Sequence, residues 1–366
     1  MAEVIKSWDA FELLAPPLAG ALPVSGIKKG RPVSAGQLLA CHPSPLKGDL
    51  HSPVNGLIEE LNEREIIIRR DDEAVGEPPK ALTVSSFSSG RLARSLKPLG
   101  LDLPLPGPGL RFIISTINSE PGLDFSTTLF LEHWETMQAG VEALRRLYPM
   151  AGIVWAVNAF ERELPEGDLI VEVDSAYPFS LPALIKKKIT GAIDAAAISV
   201  LSSRDLYFLG RVWRTGLPVG NMVLTLGVSS YFVPVGSRPV DLLNFANLAP
   251  GREDMVIKGG LVRGQCLARL DKGLDKDDAA LHLIRARDGA RSPKPCRHCR
   301  ACSRACPVGI KVDLIARKDF AVWPSAAYKD IFAKCLACGA CALACPADRP
   351  LLSLTRLQSE RPRHAN

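Results

Sequence analysis

Two runs of cysteine near the C-terminal end constrain this chain more than anything else in it. They read Cys296-x-x-Cys299-x-x-Cys302-x-x-x-Cys306-Pro307 and Cys335-x-x-Cys338-x-x-Cys341-x-x-x-Cys345-Pro346. Within each run three thiols recur at two-residue gaps, so a looped backbone can present them to three corners of one cubane. Structural zinc sites instead use separated pairs of CxxC units, and disulfides do not call for two complete copies with both prolines. Iron–sulfur chemistry is therefore the expectation. Eight of the ten cysteines belong to these runs, and the other two, Cys41 and Cys266, are far apart in sequence. They read as small apolar side chains rather than a disulfide. Thiolates and iron–sulfur clusters belong to a reducing compartment, which points to the cytoplasm.

The fourth cysteine of each run, followed by proline, resembles that of the two-cluster ferredoxins, where it turns away from its own run and ligates the other cluster. The resemblance implies two [4Fe-4S] clusters. One takes Cys296, Cys299, Cys302 and Cys345, and the other takes Cys335, Cys338, Cys341 and Cys306.

A length of 366 residues allows two to three domains with real cores. Hydrophobic residues make up 47% and charged residues 23%, an ordinary globular balance. The N-terminal stretch Met1–Pro17 carries acidic residues and no apolar run of signal-peptide length. The longest apolar runs, such as Ile153–Val157, fall far short of the ~18 residues that cross a bilayer. Membrane association is thus expected to be peripheral and through a partner.

Along the chain, residues 20–70 read as short strands separated by turns, with Asn55-Gly56 as a tight-turn signal. Lys28-Lys29-Gly30, Val33, Gly36-Gln37, Leu39-Ala40 and His51–Gly56 followed by Ile58 resemble the barrel-sandwich fold of lipoyl and biotinyl carriers. The tip offers Asn55 and Gly56 but no lysine, so a scaffold module is expected rather than a carrier. Residues 76–109 are rich in Pro, Gly and Ser and read as a connector without regular structure.

From 110 to 228 apolar runs of strand length (Phe112–Ile117, Ile153–Val157, Leu169–Val173, Ala195–Val200, Met222–Leu226) alternate with helix-like segments (Thr127–Leu147, Leu181–Ile189, Ser203–Thr215). That alternation predicts an α/β layer on a largely parallel sheet. Tyr231–Val235 and Met255–Ile257 read as strands and Asp241–Leu248 as a helix, a small unit compatible with a ubiquitin-like grasp fold. Residues 277–287 read as a helical lead-in to the cluster domain. The expected division is 1–75, 76–109, 110–228, 229–276, 277–352 and a loose tail, 353–366.

This order of parts resembles RnfC, the peripheral subunit of Rnf electron-transport complexes, related to NqrA and to the flavoprotein subunit of complex I. Ile117-Asn118-Ser119-Glu120-Pro121-Gly122 is similar to the family's N-x-E-x-P stretch. Val223–Gly227, Val235-Gly236 and Asp241–Leu243 are similar to its SLBB segment. The resemblance implies an α/β multidomain chain: a barrel-sandwich module, a complex I flavoprotein-like α/β domain, a grasp-like SLBB unit and an α-helical two-cluster domain. It also implies FMN and NADH as cofactors, with Asn118 and Glu120 toward the flavin. The plain reading of 118–122 is an ordinary turn after a strand. Where the family carries a glycine-rich phosphate loop, this chain has Pro104-Leu105-Pro106-Gly107-Pro108-Gly109-Leu110. Proline has no N–H to offer, which makes a poor phosphate cradle.

Arg285, Arg287, Arg291, Lys294, Arg297, Arg300 and Arg304 gather on and before the first run, with Asp288 the one acid among them. Such a patch steers acidic partners, and ferredoxin or flavodoxin near Arg297 and Arg300 is the expected class. Positive charge there should also favour reduction of the nearby cluster. The bland reading is a solvated basic face or one covered by another subunit. No reader motif supports nucleic-acid binding. Three functions remain open at this point: a relay subunit of a membrane redox complex, an FMN-dependent NADH oxidoreductase subunit, and a structural docking subunit.

Overall fold

Short apolar runs broken by glycine and proline favour small antiparallel sheets over long strands, and the first seventy residues follow that rule. The computed structural model describes residues 6–7, 11–74, 76–102, 111–158, 168–195, 197–286, 293–316 and 333–353. β1 (Lys6–Ser7) joins a later sheet. β2 (Leu13–Leu14), β3 (Leu22–Pro23), β4 (Pro32–Val33), β5 (Leu38–Cys41), β6 (Leu50–His51), β7 (Gly56–Leu61) and β8 (Ile66–Arg70) form two sheets, ordered β2-β8-β7-β4 and β3-β5-β6. Both feed one core, in which Leu14, Val33, Leu39, Ile58, Ile66 and Ile68 are buried. Asn55-Gly56 is not a hairpin tip, because β6 and β7 lie in different sheets. Asn55 Oδ1 accepts from the Ala35 N–H at 2.8 Å. A Cβ at Gly56 would stand 2.3 Å from the Arg69 carbonyl oxygen, so the chain passes there only as glycine. The hairpin is the next turn, where Asn62 Oδ1 accepts from the Arg64 and Glu65 N–H groups between β7 and β8.

The expected connector contains regular structure. A 3₁₀ turn at Val84–Ser86 leads into α1 (Ser89–Leu96) and a second turn at Lys97–Leu99. Leu92 and Leu96 are buried in the main core, which repays the ordering of this polar segment. Pro104–Leu110 lies outside the described residues.

β9 (Arg111–Ser115), α2 (Phe125–Glu132), α3 (Trp134–Leu147), β10 (Gly152–Val157), β11 (Leu169–Glu172), α4 (Pro182–Thr190), β12 (Ile198–Ser202) and α5 (Ser203–Thr215) build a parallel sheet ordered β11-β10-β9-β12. Phe112, Ile114 and Trp155 face α3 and α5, while Ile113, Val154 and Ala156 face Ile185 of α4. The single helix expected over Thr127–Leu147 is broken at His133, whose ring stands edge-on to Tyr207 and Phe232. Packing overrides the periodic pattern there. A Cβ at Gly210 would lie 1.8 Å from the Thr136 carbonyl oxygen, so α3 and α5 cross closely only because that position is glycine.

β13 (Asn221–Leu226), β14 (Ser229–Pro234), α6 (Pro239–Phe245), β15 (Met255–Lys258), β16 (Gln265–Cys266) and β17 (Ala280–Ile284) follow. The strands form a mixed sheet ordered β1-β14-β13-β17-β15-β16. Two expectations are corrected here. Met222–Leu226 is a strand, but of this sheet and not of the parallel one. Met222 and Leu224 enter the N-terminal core and Val223 the central one, so the strand is apolar on both faces. The expected helical lead-in, 277–287, contains a strand: β17 pairs parallel with β13 and antiparallel with β15. Among the described residues no helix is long and apolar enough to cross a membrane.

Candidate iron–sulfur centre

The two cysteine runs fold as copies of one device. His298 and Ala337, two residues after the first cysteine of each run, have φ of 53° and 48°. Arg300 and Gly339, just after the second cysteine, have φ of 58° and 74°. Left-handed geometry costs a residue with a Cβ about 1–2 kcal/mol, and it turns successive N–H groups inward to make an anion-binding concavity. The N–H groups of His298 and Ala337 donate to Cys296 Sγ and Cys335 Sγ, each at 3.4 Å. One-turn helices follow, α7 (Ala301–Arg304) and, in the second run, Ala340–Leu343. Past the fourth cysteines, Gly309 and Asp348 again take positive φ, 72° and 49°. The Ile310 N–H donates to Cys306 Sγ at 3.3 Å.

The folding of the runs against each other decides which thiols meet. Cys296, Cys299, Cys302 and Cys345 line one cavity, together with Arg297, Arg300 and Asp313. The thiol of Cys341 has those of Cys338, Cys335 and Cys306 as its neighbours. Each fourth cysteine therefore stands with the triple of the other run. Burial, reinforced by these neighbours, pushes the Cys341 thiol up to about 12. Burial also raises Cys302 and Cys338. On their own these thiols stay protonated at neutral pH, so binding by a cationic iron centre must displace protons.

The eight thiols fit two four-iron clusters. Among the described residues, Ile310, Val312, Ala316 and Leu351 are buried with the cysteines, and Val308 and Ala342 pack against them. Clusters ligated by these thiols would pack against the same side chains, coupling metal binding to folding. Among the described residues, no group of three or more His, Cys, Asp or Glu is arranged to hold a single ion. Thiolates of a cubane each sit on a different iron and stand further apart.

The copies differ in what surrounds them. The first run carries Arg297, His298, Arg300 and Arg304, and the second has Leu336, Ala337, Gly339 and Leu343 in the same places. Cys299 and the basic residues of the first run are exposed, the Arg300 side chain by 68% and 3.9 Å from Asp313. Arg304 donates to the Cys299 carbonyl at 2.8 Å. Lys294 is also exposed. The patch is smaller than the sequence suggests, because Arg285 pairs with Asp254 at 2.7 Å. Arg287, Asp288 and Arg291 lie outside the described residues.

The second run is docked on the body of the molecule. Tyr177 donates its hydroxyl to the Cys338 carbonyl. Leu181 packs with Cys338 and Ala340, both buried. Lys187 of α4 donates at 3.4 Å to the carbonyl of Pro307, a residue of the first run that follows Cys306, the cysteine standing with the second triple. Val262 crowds Gly339, where a Cβ would meet its Cγ1 at 2.9 Å. Sequence reasoning missed Tyr177 and the 260–264 loop, and no local signal marks a contact across 161 residues.

Asn118 and Glu120 lie in the loop after β9. Asn118 Oδ1 accepts from the Ser126 N–H at 2.8 Å, holding the first turn of α2. Glu120 Oε2 accepts from the Arg263 N–H at 2.9 Å, and its side chain fills the space a Cβ on Gly260 would need. Both side chains are engaged in joining loops.

Residues 286–349 match the family model described as 4Fe-4S dicluster domain. The C-terminal part of this chain is such a domain. Comparison with curated proteins gives no match. Among solved structures, a chain of an NAD+-reducing [NiFe]-hydrogenase in the air-oxidized state is similar, at 14% identity and a TM-score of 0.45. The match covers 76% of this chain and spans 61% of the hydrogenase chain.

Proposed function

We propose that this chain is an electron-transfer subunit of an RnfC-like, membrane-associated redox complex, passing electrons between partner proteins through two [4Fe-4S] clusters. The observation that carries this reading is the crossed grouping of eight thiols in a dicluster domain. Cys296, Cys299, Cys302 and Cys345 hold one cluster, and Cys335, Cys338, Cys341 and Cys306 hold the other. The clusters, when bound, supply one-electron reduction and oxidation without proton chemistry. The N–H groups of His298, Ala337 and Ile310 offset sulfur charge. The RnfC-like part of the reading rests on the order of two N-terminal sheets, a parallel sheet, a mixed sheet and the cluster domain. Attachment to the cytoplasmic face of a membrane through other subunits belongs to the same proposal.

A second reading, an FMN-dependent NADH oxidoreductase subunit, has one observation in its favour. The order β11-β10-β9-β12 reverses direction at β9, and open parallel sheets bind nucleotides at such switch points. Against it stand the engaged side chains of Asn118 and Glu120. The anaerobically purified protein decides between the two. NADH with FMN should leave cluster absorbance unchanged while a reduced acidic ferredoxin bleaches it; bleaching by NADH would establish the enzyme reading instead.

A further inference from the structure

We infer that the rim of the first cysteine group, framed by Arg297, His298 and Arg300, is the electron-exchange port for a small acidic one-electron carrier protein, and that the second group is an internal station. The inference rests on the cluster reading above. Its own support is the asymmetry between two copies of one backbone device. At matching positions the first copy has arginine and histidine where the second has leucine, alanine and glycine. The first copy exposes Cys299 with its basic neighbours, and the second buries Cys338 and Ala340.

Electron transfer between proteins falls off steeply with distance, so the exposed ligand is the one a carrier can approach. The second copy is closed on its docked side by the Tyr177 hydroxyl, Leu181 and Val262. A carrier with an acidic face meets at the first copy a rim of matching charge, which orients it and raises the encounter rate. In each exchange a reduced carrier would pass one electron to the site held by Cys296, Cys299, Cys302 and Cys345, with no bond or proton changing hands. The exposure and positive charge of the first site would also raise the potential of a cluster held there above that of one in the apolar second site.

The full-length, cluster-loaded chain is mixed anaerobically with a reduced acidic ferredoxin, and bleaching is timed at rising ionic strength. Arg297→Glu with Arg300→Glu should slow bleaching about tenfold or more at low salt, with rates converging at high salt. Arg304 is left in place because it supports the Cys299 carbonyl. Arg297→Gln with Arg300→Gln, matched for iron content, should show a smaller loss of the same kind. Lys28→Glu with Lys29→Glu, an equal charge change on the exposed N-terminal turn, should behave as wild type. Rates indifferent to Arg297 and Arg300 at every salt, or an equal loss in the Lys28/Lys29 variant, would overturn the port. So would binding to phosphatidylserine vesicles that the arginine changes abolish without altering ferredoxin rates. Failure of dithionite to bleach the loaded protein at all would instead sink the relay reading itself.

Discussion

Tyr177→Phe isolates the attachment of the second cysteine group to the rest of the molecule. The substitution keeps the ring against Leu181, Cys338 and Ala340 and removes the hydroxyl that donates to the Cys338 carbonyl. Cys338 is 8% exposed, so water does not readily replace the donor. A buried carbonyl left without its partner costs about 1–3 kcal/mol, which multiplies the undocked population of that loop by roughly 5- to 150-fold. Iron release to a chelator from the anaerobic, cluster-loaded protein reads this directly. Half of the iron, that held by the second group, should leave faster by a factor in that range, and the other half should leave at the wild-type rate. Equal acceleration of both halves, or of neither, would refute the argument that Tyr177 holds the second group alone.

Cys306→Ser should cost the cluster of the second run although Cys306 lies in the first; iron analysis should show half the iron gone, and potentiometry should find the arginine-framed cluster still present. Leu92→Ala removes a fully buried side chain from the segment read as a connector and should lower stability by about 2–5 kcal/mol in urea titration; a loss under about 0.5 kcal/mol would restore the connector reading. His51 is buried and its imidazole is pushed down to about 4, so only its neutral form suits the folded state. Its contribution is complete above the ordinary histidine value near 6.5 and is lost as pH falls from there toward 4. Between pH 7.5 and 5 the wild type should therefore lose about 2 kcal/mol more than His51→Leu, and parallel pH slopes in the two proteins would contradict this.

What could be read from the sequence was what local chemistry alone enforces. The cysteine spacing is dictated by ligation, so both runs stand out without any knowledge of the fold. The helix Ser203–Thr215 is bounded by a reciprocal cap between Ser202 and Asp205 and by Gly216 at φ 64°, which gives it legible ends. Met222–Leu226 was readable as a strand but not as a member of its sheet, because a strand buried on both faces looks the same in either. Residues 277–287 hide a strand whose identity comes from its neighbours β13 and β15 rather than from its own pattern. Ser89–Leu96 folds as a helix because Leu92 and Leu96 find the core, against a Pro- and Ser-rich background that argues for a linker. Asn118 and Glu120 were legible as polar residues after a strand, but their partners, Ser126 and Arg263, belong to other segments. The difference in charge between the two cysteine runs was legible in the sequence, but the docking of the second could be seen only once Tyr177 and Val262 were placed against it.

The most direct test of the account is an anaerobic potentiometric titration of the full-length protein followed by electron paramagnetic resonance. Two one-electron waves of [4Fe-4S] type should appear, and Arg297→Glu with Arg300→Glu should lower the potential of the higher one while leaving the other in place. A single wave, or two waves that shift together, would contradict a relay built from one exposed and one docked cluster.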